Sequence, residues 1–106
     1  MSRYYGMQVS IKDYVTPRRE EIINAVSAEW PFEGWDLENK TLEAYGEGNL
    51  CGGETEEEFT DRIAAAVWKA NESYCRVEVR ATYLEDLPHD HHERGENDYA
   101  RWRAQN

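Results

Sequence analysis

The sequence predicts an α+β sandwich, with two helices laid on one face of an antiparallel sheet. Three observations carry this: a period-two stretch near the start, a second before Pro88, and two segments of helical period between them.

Residues 5–11 read Tyr5-Gly6-Met7-Gln8-Val9-Ser10-Ile11. Tyr5, Met7, Val9 and Ile11 share one phase, as in a strand buried on one face. Thr16-Pro17 makes a helix start, because the Thr16 hydroxyl can accept from an orphan N–H and proline at the first helical position loses nothing by lacking one. Ile22, Ile23, Val26 and Trp30 follow at helical spacing, and Pro31 stops the helix. From Trp35 to Leu50 the helical period is lost. Trp35/Leu37 and Leu42/Ala44 read as inward positions of a hairpin turning around Glu38-Asn39-Lys40-Thr41. Gly46, Gly48, Gly52 and Gly53 mark a loop.

Thr55-Glu56-Glu57-Glu58 is a capping box, with three acids at the positive end of the coming helix. Phe59, Ile63, Val67 and Ala70 supply its buried stripe and Asn71 its stop. Cys75, Val77, Val79, Ala81 and Tyr83 then alternate with Tyr74, Arg76, Glu78, Arg80 and Thr82, a strand whose outer side is a ladder of opposite charges. Pro88 ends it. Residues 1–88 are thus expected to form one domain, and residues 89–106 a polar tail in which Tyr99 and Trp102 can pack as a short helix on the domain. The order strand, helix, strand, strand, helix, strand is that of a ferredoxin-like βαββαβ sandwich. That fold hosts many unrelated functions, so activity must be read from particular residues.

Four Trp, seven Tyr and a hydrophobic content of 40% argue for a folded chain despite a formal net charge of −10. No apolar run is long enough for a membrane span, and Met1-Ser2-Arg3-Tyr4-Tyr5 lacks the apolar core of a signal peptide, so the expected location is the cytoplasm. Cys51 and Cys75 encode no disulfide framework and no four-sulfur zinc site.

The charge deficit is local. Residues 29–61 hold eleven acids and one base, Lys40, while the stretches on either side nearly balance. Within the block Glu29, Glu33, Asp36, Glu38, Glu43, Glu47, Glu54, Glu56, Glu57, Glu58 and Asp61 are interleaved with Trp30, Phe32, Trp35, Tyr45 and Phe59. Such a block is either a solubilising surface over core aromatics or a face that meets a basic partner through aromatic anchors in a charged rim.

The remaining chemistry is thin. His89-Asp90-His91-His92-Glu93 contains residue types that Zn²⁺ accepts, but adjacent residues do not converge on one ion without a dedicated turn, so no metal is expected. Gly46-x-Gly48 and Gly52-Gly53 precede a helix as phosphate loops do, yet no Lys-Ser or Lys-Thr follows and Glu54, Glu56, Glu57 and Glu58 repel phosphate, so no nucleotide or other cofactor is expected. Cys51 lies near a helix start without a histidine base in its block. Carboxylate pairs are uninformative in a chain with 22 acids. The outward positions Gln8, Ser10, Arg76, Glu78 and Arg80 offer no stacked aromatics for RNA, so direct nucleic-acid binding is not expected. No catalytic residue is assigned. The partner-binding candidates are Glu33, Asp36, Glu43, Tyr45, Glu47, Glu54, Glu56 and Glu57.

The stretch Gly48-Asn49-Leu50-Cys51-Gly52-Gly53-Glu54-Thr55-Glu56-Glu57-Glu58-Phe59, with Tyr4-Tyr5-Gly6-Met7 before it and Glu78-Val79-Arg80-Ala81-Thr82-Tyr83-Leu84 after it, resembles small acidic uncharacterised proteins of bacterial accessory genomes and mobile elements. The resemblance transfers no site residues. It implies an anti-CRISPR-like inhibitor, one that occupies a basic nucleic-acid-binding surface of a host defence complex such as a CRISPR effector. The alternatives are an immunity or antitoxin protein blocking a basic nuclease, and a metal- or Cys-dependent enzyme centred on Cys51 and His89–His92.

Overall fold

The computed structural model describes residues 3–38, 40–50, 52–84 and 90–106. In order they form β1 (Arg3–Lys12), a 3₁₀ turn (Thr16–Arg18), α1 (Arg19–Glu29), β2 (Glu33–Glu38), β3 (Thr41–Leu50), α2 (Glu56–Asn71), β4 (Arg76–Tyr83), β5 (Asp90–Arg94) and α3 (Glu96–Gln105). The five strands make one sheet in the order β2-β3-β1-β4-β5, with every neighbouring pair antiparallel. The class is α+β.

One face of the sheet is closed by α1 and α2. Val9 lies between Ala44 and Val79 in the ladder, and Ile11 between Leu42 and Val77, so period-two alternation lays apolar rows across three strands. Ile22 and Val26 of α1, and Phe59, Ile63 and Val67 of α2, pack on those rows, fully buried. Each such side chain contributes roughly 1.5–3 kcal/mol of transfer free energy. The capping box forms: the Glu58 N–H donates to Thr55 Oγ1 at 3.1 Å and the Thr55 N–H to Glu58 Oε1 at 2.9 Å. Among the described residues the other face carries no helix, and it presents Gln8, Ser10, Glu43, Tyr45, Glu78 and Arg80. Among the described residues no helix is long and apolar enough to cross a membrane.

Four local expectations change. Gly46 and Gly48 belong to β3, not to a loop, because the strand passes directly beneath the end of α1. A Cβ on Gly46 would strike the Pro31 carbonyl, and the Trp30 ring crosses Gly48 while its Nε1 donates to the Gly46 carbonyl at 2.9 Å. Thr16 does not cap α1. The chain enters through the 3₁₀ turn, and the Val15 N–H is satisfied from afar by Asn71 Oδ1 at 2.7 Å. Leu37, expected inward, is 48% exposed because β2 is the outermost strand. The tail contributes a fifth strand before its helix: β5 has no apolar residue, so periodicity gives no sign of it, and its inward side chains are polar. Beyond it Tyr99 and Trp102 of α3 pack on Trp68, with ring centroids 5.3 and 5.7 Å away. The hairpin turn at Asn39, and Cys51, Pro88 and His89, lie outside the described residues.

Candidate functional site

Folding divides the acidic block between two places. Around the start of α2 the acids are taken up by bases from outside the block. Arg62 reaches Glu54 through Nε (3.0 Å) and Nη2 (2.9 Å), and Glu29 through Nη1 (2.8 Å), while stacking 5.2 Å over the Phe59 ring. The Glu54 bond chiefly holds its guanidinium pKa above the ordinary value, against the opposing effect of burial. Arg94, 9% exposed, bonds Asp61 at 2.7 Å and Glu57 at 2.8 Å. His92 sits between Glu56 (2.8 Å) and Glu57 (2.7 Å), and Glu56 also accepts from the Tyr5 hydroxyl at 2.7 Å. Burial, then the Glu56 bond, push the Tyr5 phenol up to about 12. Three expected contacts, Glu54, Glu56 and Glu57, are therefore engaged within the molecule: Glu54 by Arg62, eight residues on in α2, and Glu56 and Glu57 by His92 and Arg94, more than thirty residues away, where no local pattern announces them.

The other expected contacts share the open face. In β3 Glu43, Tyr45 and Glu47 point outward in alternation, and β2 brings Glu33 opposite Tyr45 and Asp36 opposite Glu43. Glu47 accepts from the hydroxyls of Tyr45 (3.0 Å) and Tyr4 (3.4 Å), and Glu43 accepts from Ser10 Oγ at 3.3 Å. The Tyr45 ring lies across Gly6, and burial followed by the Glu47 bond raises its phenol pKa. Tyr4 and Tyr45 are nevertheless 43% and 44% exposed. Among the described residues none of Glu33, Asp36, Glu43 and Glu47 forms an ion pair.

Compared with protein-family models, curated proteins and solved structures, the chain matches none.

Tyr4 was not among the expected contacts, although its phase in the first strand, opposite to that of Tyr5, points it outward. With Tyr45 it gives the open face the aromatic pair that the outward positions considered above lacked. Two aromatics on adjacent central strands are how RNA-binding sheets stack bases. The four carboxylates around them, without ion-pair partners among the described residues, repel a phosphate backbone.

The far half of the open face is internally paired. Lys12 and Arg76 bond Glu78 at 3.0 and 2.9 Å, Arg76 bonds Glu93 at 2.6 Å, and His91 reaches Glu93 at 3.1 Å. Burial alone would raise the Glu78 pKa, but the bonds from Lys12 and Arg76 outweigh it and hold the carboxyl below its ordinary value. Ligand atoms of Glu78, His91 and Glu93 lie within 4.8 Å of one another, yet both carboxylates are already held by cations, an arrangement that opposes a metal ion. Strand alternation also sends His91 and His92 to opposite faces of the sheet, so they cannot ligate one ion. Cys75 is buried, which pushes its thiol up to about 12 and removes it as a nucleophile.

Proposed function

We propose that this chain is a non-enzymatic binding protein that docks the β2–β3 half of its open sheet face on a basic protein surface. The observation carrying this is the patch itself: two half-exposed tyrosines, hydrogen-bonded to one shared carboxylate, within a set of four acids that lack ion-pair partners among the described residues. Aromatic anchors inside a charged rim are the anatomy of a protein interface, and the rim steers a cationic partner to it. Grooves that bind nucleic acids are basic surfaces of this kind. A protein occupying one excludes the nucleic acid, which makes this chain an inhibitor of a nucleic-acid-handling complex, a CRISPR effector or a nuclease. The strand order β2-β3-β1-β4 with α1 and α2 on one face supports a ferredoxin-like core, to which β5 and α3 are additions.

The test replaces Glu33, Asp36, Glu43 and Glu47 together by Lys. Glu56 and Glu57 are left alone, because reversing them would break contacts that tie α2 to β5. The wild-type chain is expected to retain a bacterial protein at low salt, to lose it between about 50 and 500 mM salt, and to lose it to added double-stranded DNA. The fourfold variant is expected to retain nothing while keeping the wild-type circular dichroism. Retention that is indifferent to the reversal, to salt or to DNA would overturn the reading.

A further inference from the structure

We propose that β5 is a strap fastened by a proton on His92, so that the edge of β4 is covered while His92 is charged and bared when it is not. β5 pairs with β4 alone and contains only Asp90, His91, His92, Glu93 and Arg94. It buries no apolar side chain, so hydrophobic transfer cannot hold it. What remains is the backbone ladder, the outward bond from Arg76 to Glu93 at 2.6 Å, and the inward pair His92 and Arg94, which stand opposite Val79 and Val77 and alone reach the first turns of α2.

The geometry sets the charge of His92. Its Nδ1 lies 2.7 Å from Glu57 Oε1 and its Nε2 2.8 Å from Glu56 Oε1. A carboxylate only accepts, and a neutral imidazole has a single N–H, so a neutral ring must aim a lone pair at one of the two. The imidazolium donates to both. The surroundings push the same way. From α2 the ring environment receives Glu56, Glu57 and Asp61, and from its own strand only Arg94, which is shared between Glu57 and Asp61. From β1 Tyr5 donates to the second oxygen of Glu56, with Arg3 over the Tyr5 ring at 5.5 Å. From α3 Asp98 and Arg101 border Arg94, one of each sign. Asp90 adds negative potential near Tyr5, and His91 and Glu93 face the other side of the sheet. Three carboxylates thus meet one guanidinium until His92 takes up a proton.

Burial alone would lower the His92 pKa, but the bonds to Glu56 and Glu57 carry it above the ordinary 6.5. A group whose folded pKa is raised stabilises fully below its unfolded value and loses that contribution as pH rises through the folded one. Glu57 sets the opposite limit. The His92 bond chiefly lowers its pKa, so its contribution disappears as pH falls through that lowered value. The strap is therefore tightest between the carboxylate range and the unfolded pKa of His92, and slackens from there up to the folded one. Above that, β5 loosens and frees the outer N–H and C=O groups of β4, an open strand edge. α3 has its own apolar attachment, through Tyr99 and Trp102 on Trp68, which does not titrate with His92.

Amide hydrogen exchange on the full chain between about pH 6 and pH 9, corrected for intrinsic rates, tests this, together with NMR titration of the His92 ring. Protection of residues 91–94 is expected to fall about tenfold for each unit by which the folded pKa exceeds the unfolded one, while β1 and β3 hold theirs. His92→Gln should show the loosened β5 at both pH values with β1 and β3 unchanged. A His92 ring titrating at or below 6.5, or β5 protection that is constant or falls in step with β1 and β3, overturns the proposal. If His92→Gln does not fold, the wild-type ring titration and exchange decide alone. None of these measurements depends on whether the open face binds a partner.

Discussion

Two glycines on paired strands should respond unequally to the same added methyl group, one with a clear loss of stability and the other with almost none. Gly46 in β3 and Gly6 in β1 both have ordinary strand conformations, so alanine is allowed on backbone grounds and only the surroundings differ. At Gly46 the new Cβ meets the Pro31 carbonyl and the Phe32 Cα, which are backbone and cannot rotate away. Overpacking of that kind costs about 1–3 kcal/mol. The shift it forces also strains the buried Trp30–Gly46 bond, another 1 kcal/mol or so, and alanine's smaller unfolded-state entropy returns about 0.5–1 kcal/mol. The net expectation is a loss of about 1–3.5 kcal/mol. At Gly6 the obstacle is the hydroxyl end of the Tyr45 ring, half exposed and able to swing into solvent. There the entropy gain and the small strain cancel to within about 0.5 kcal/mol. Urea denaturation followed by tryptophan fluorescence measures both, with an unchanged m-value as the sign that only stability moved. Equal costs at the two positions, or a neutral Gly46→Ala, would refute the account of how the α1–β2 connection lies on β3. Gly6→Ala should also displace Tyr45 and weaken docking while leaving the fold intact.

Asn71 is buried at the end of α2, where its Oδ1 accepts from the Val15 N–H and its Nδ2 donates to the Ser73 carbonyl at 2.9 Å. Asn71→Ala leaves that N–H without its acceptor and should cost about 1–3 kcal/mol in the same denaturation assay. In acid, Glu57, Glu78 and Glu93 all have pKa values below the ordinary 4.5, so their contribution is present above that value and lost as pH falls through the lowered ones. The urea midpoint is expected to drop on acidification below about pH 5, and Glu78→Gln should flatten part of that limb.

The strands and helices that bury an apolar stripe were legible because burial imposes a period: Val9 and Ile11, Val77 and Val79, and Phe59, Ile63 and Val67 all stand where alternation or helical spacing puts them. What escaped has no such period. β5 is held by polar contacts to residues more than thirty positions away, and Gly46 and Gly48 look like loop glycines until Trp30 and Pro31 are seen lying on them. The same holds for the site. Glu43, Tyr45 and Glu47 share a face by strand alternation, a local property, whereas Glu33 and Asp36 both join it only because the register of β2 shifts between them, which alternation does not foretell. Glu54, Glu56 and Glu57 left the surface charge because Arg62, His92 and Arg94 come to them through tertiary folding.

Contiguity of charge along a chain and contiguity in space are therefore different quantities, and the difference gives the open face a direction. Across the strand order, Glu33, Asp36, Glu43 and Glu47 lack cationic partners among the described residues on the β2–β3 side, while Glu78 and Glu93 are matched by Lys12 and Arg76 on the β4–β5 side. Between them runs a shallow polar cleft lined by Gln8, Ser10, Glu43 and Arg80. Among the described residues Arg80 bonds only the neutral Gln8, at 3.3 Å, and so brings a positive charge to the boundary. In the docking proposed above, a basic partner would be attracted on one side of that line and repelled at it, which would confine it to the strip where Tyr4 and Tyr45 stand. On that reading the acids steer and the tyrosines anchor within the same strip, and the position of Arg80 limits how far a basic groove can extend over the sheet.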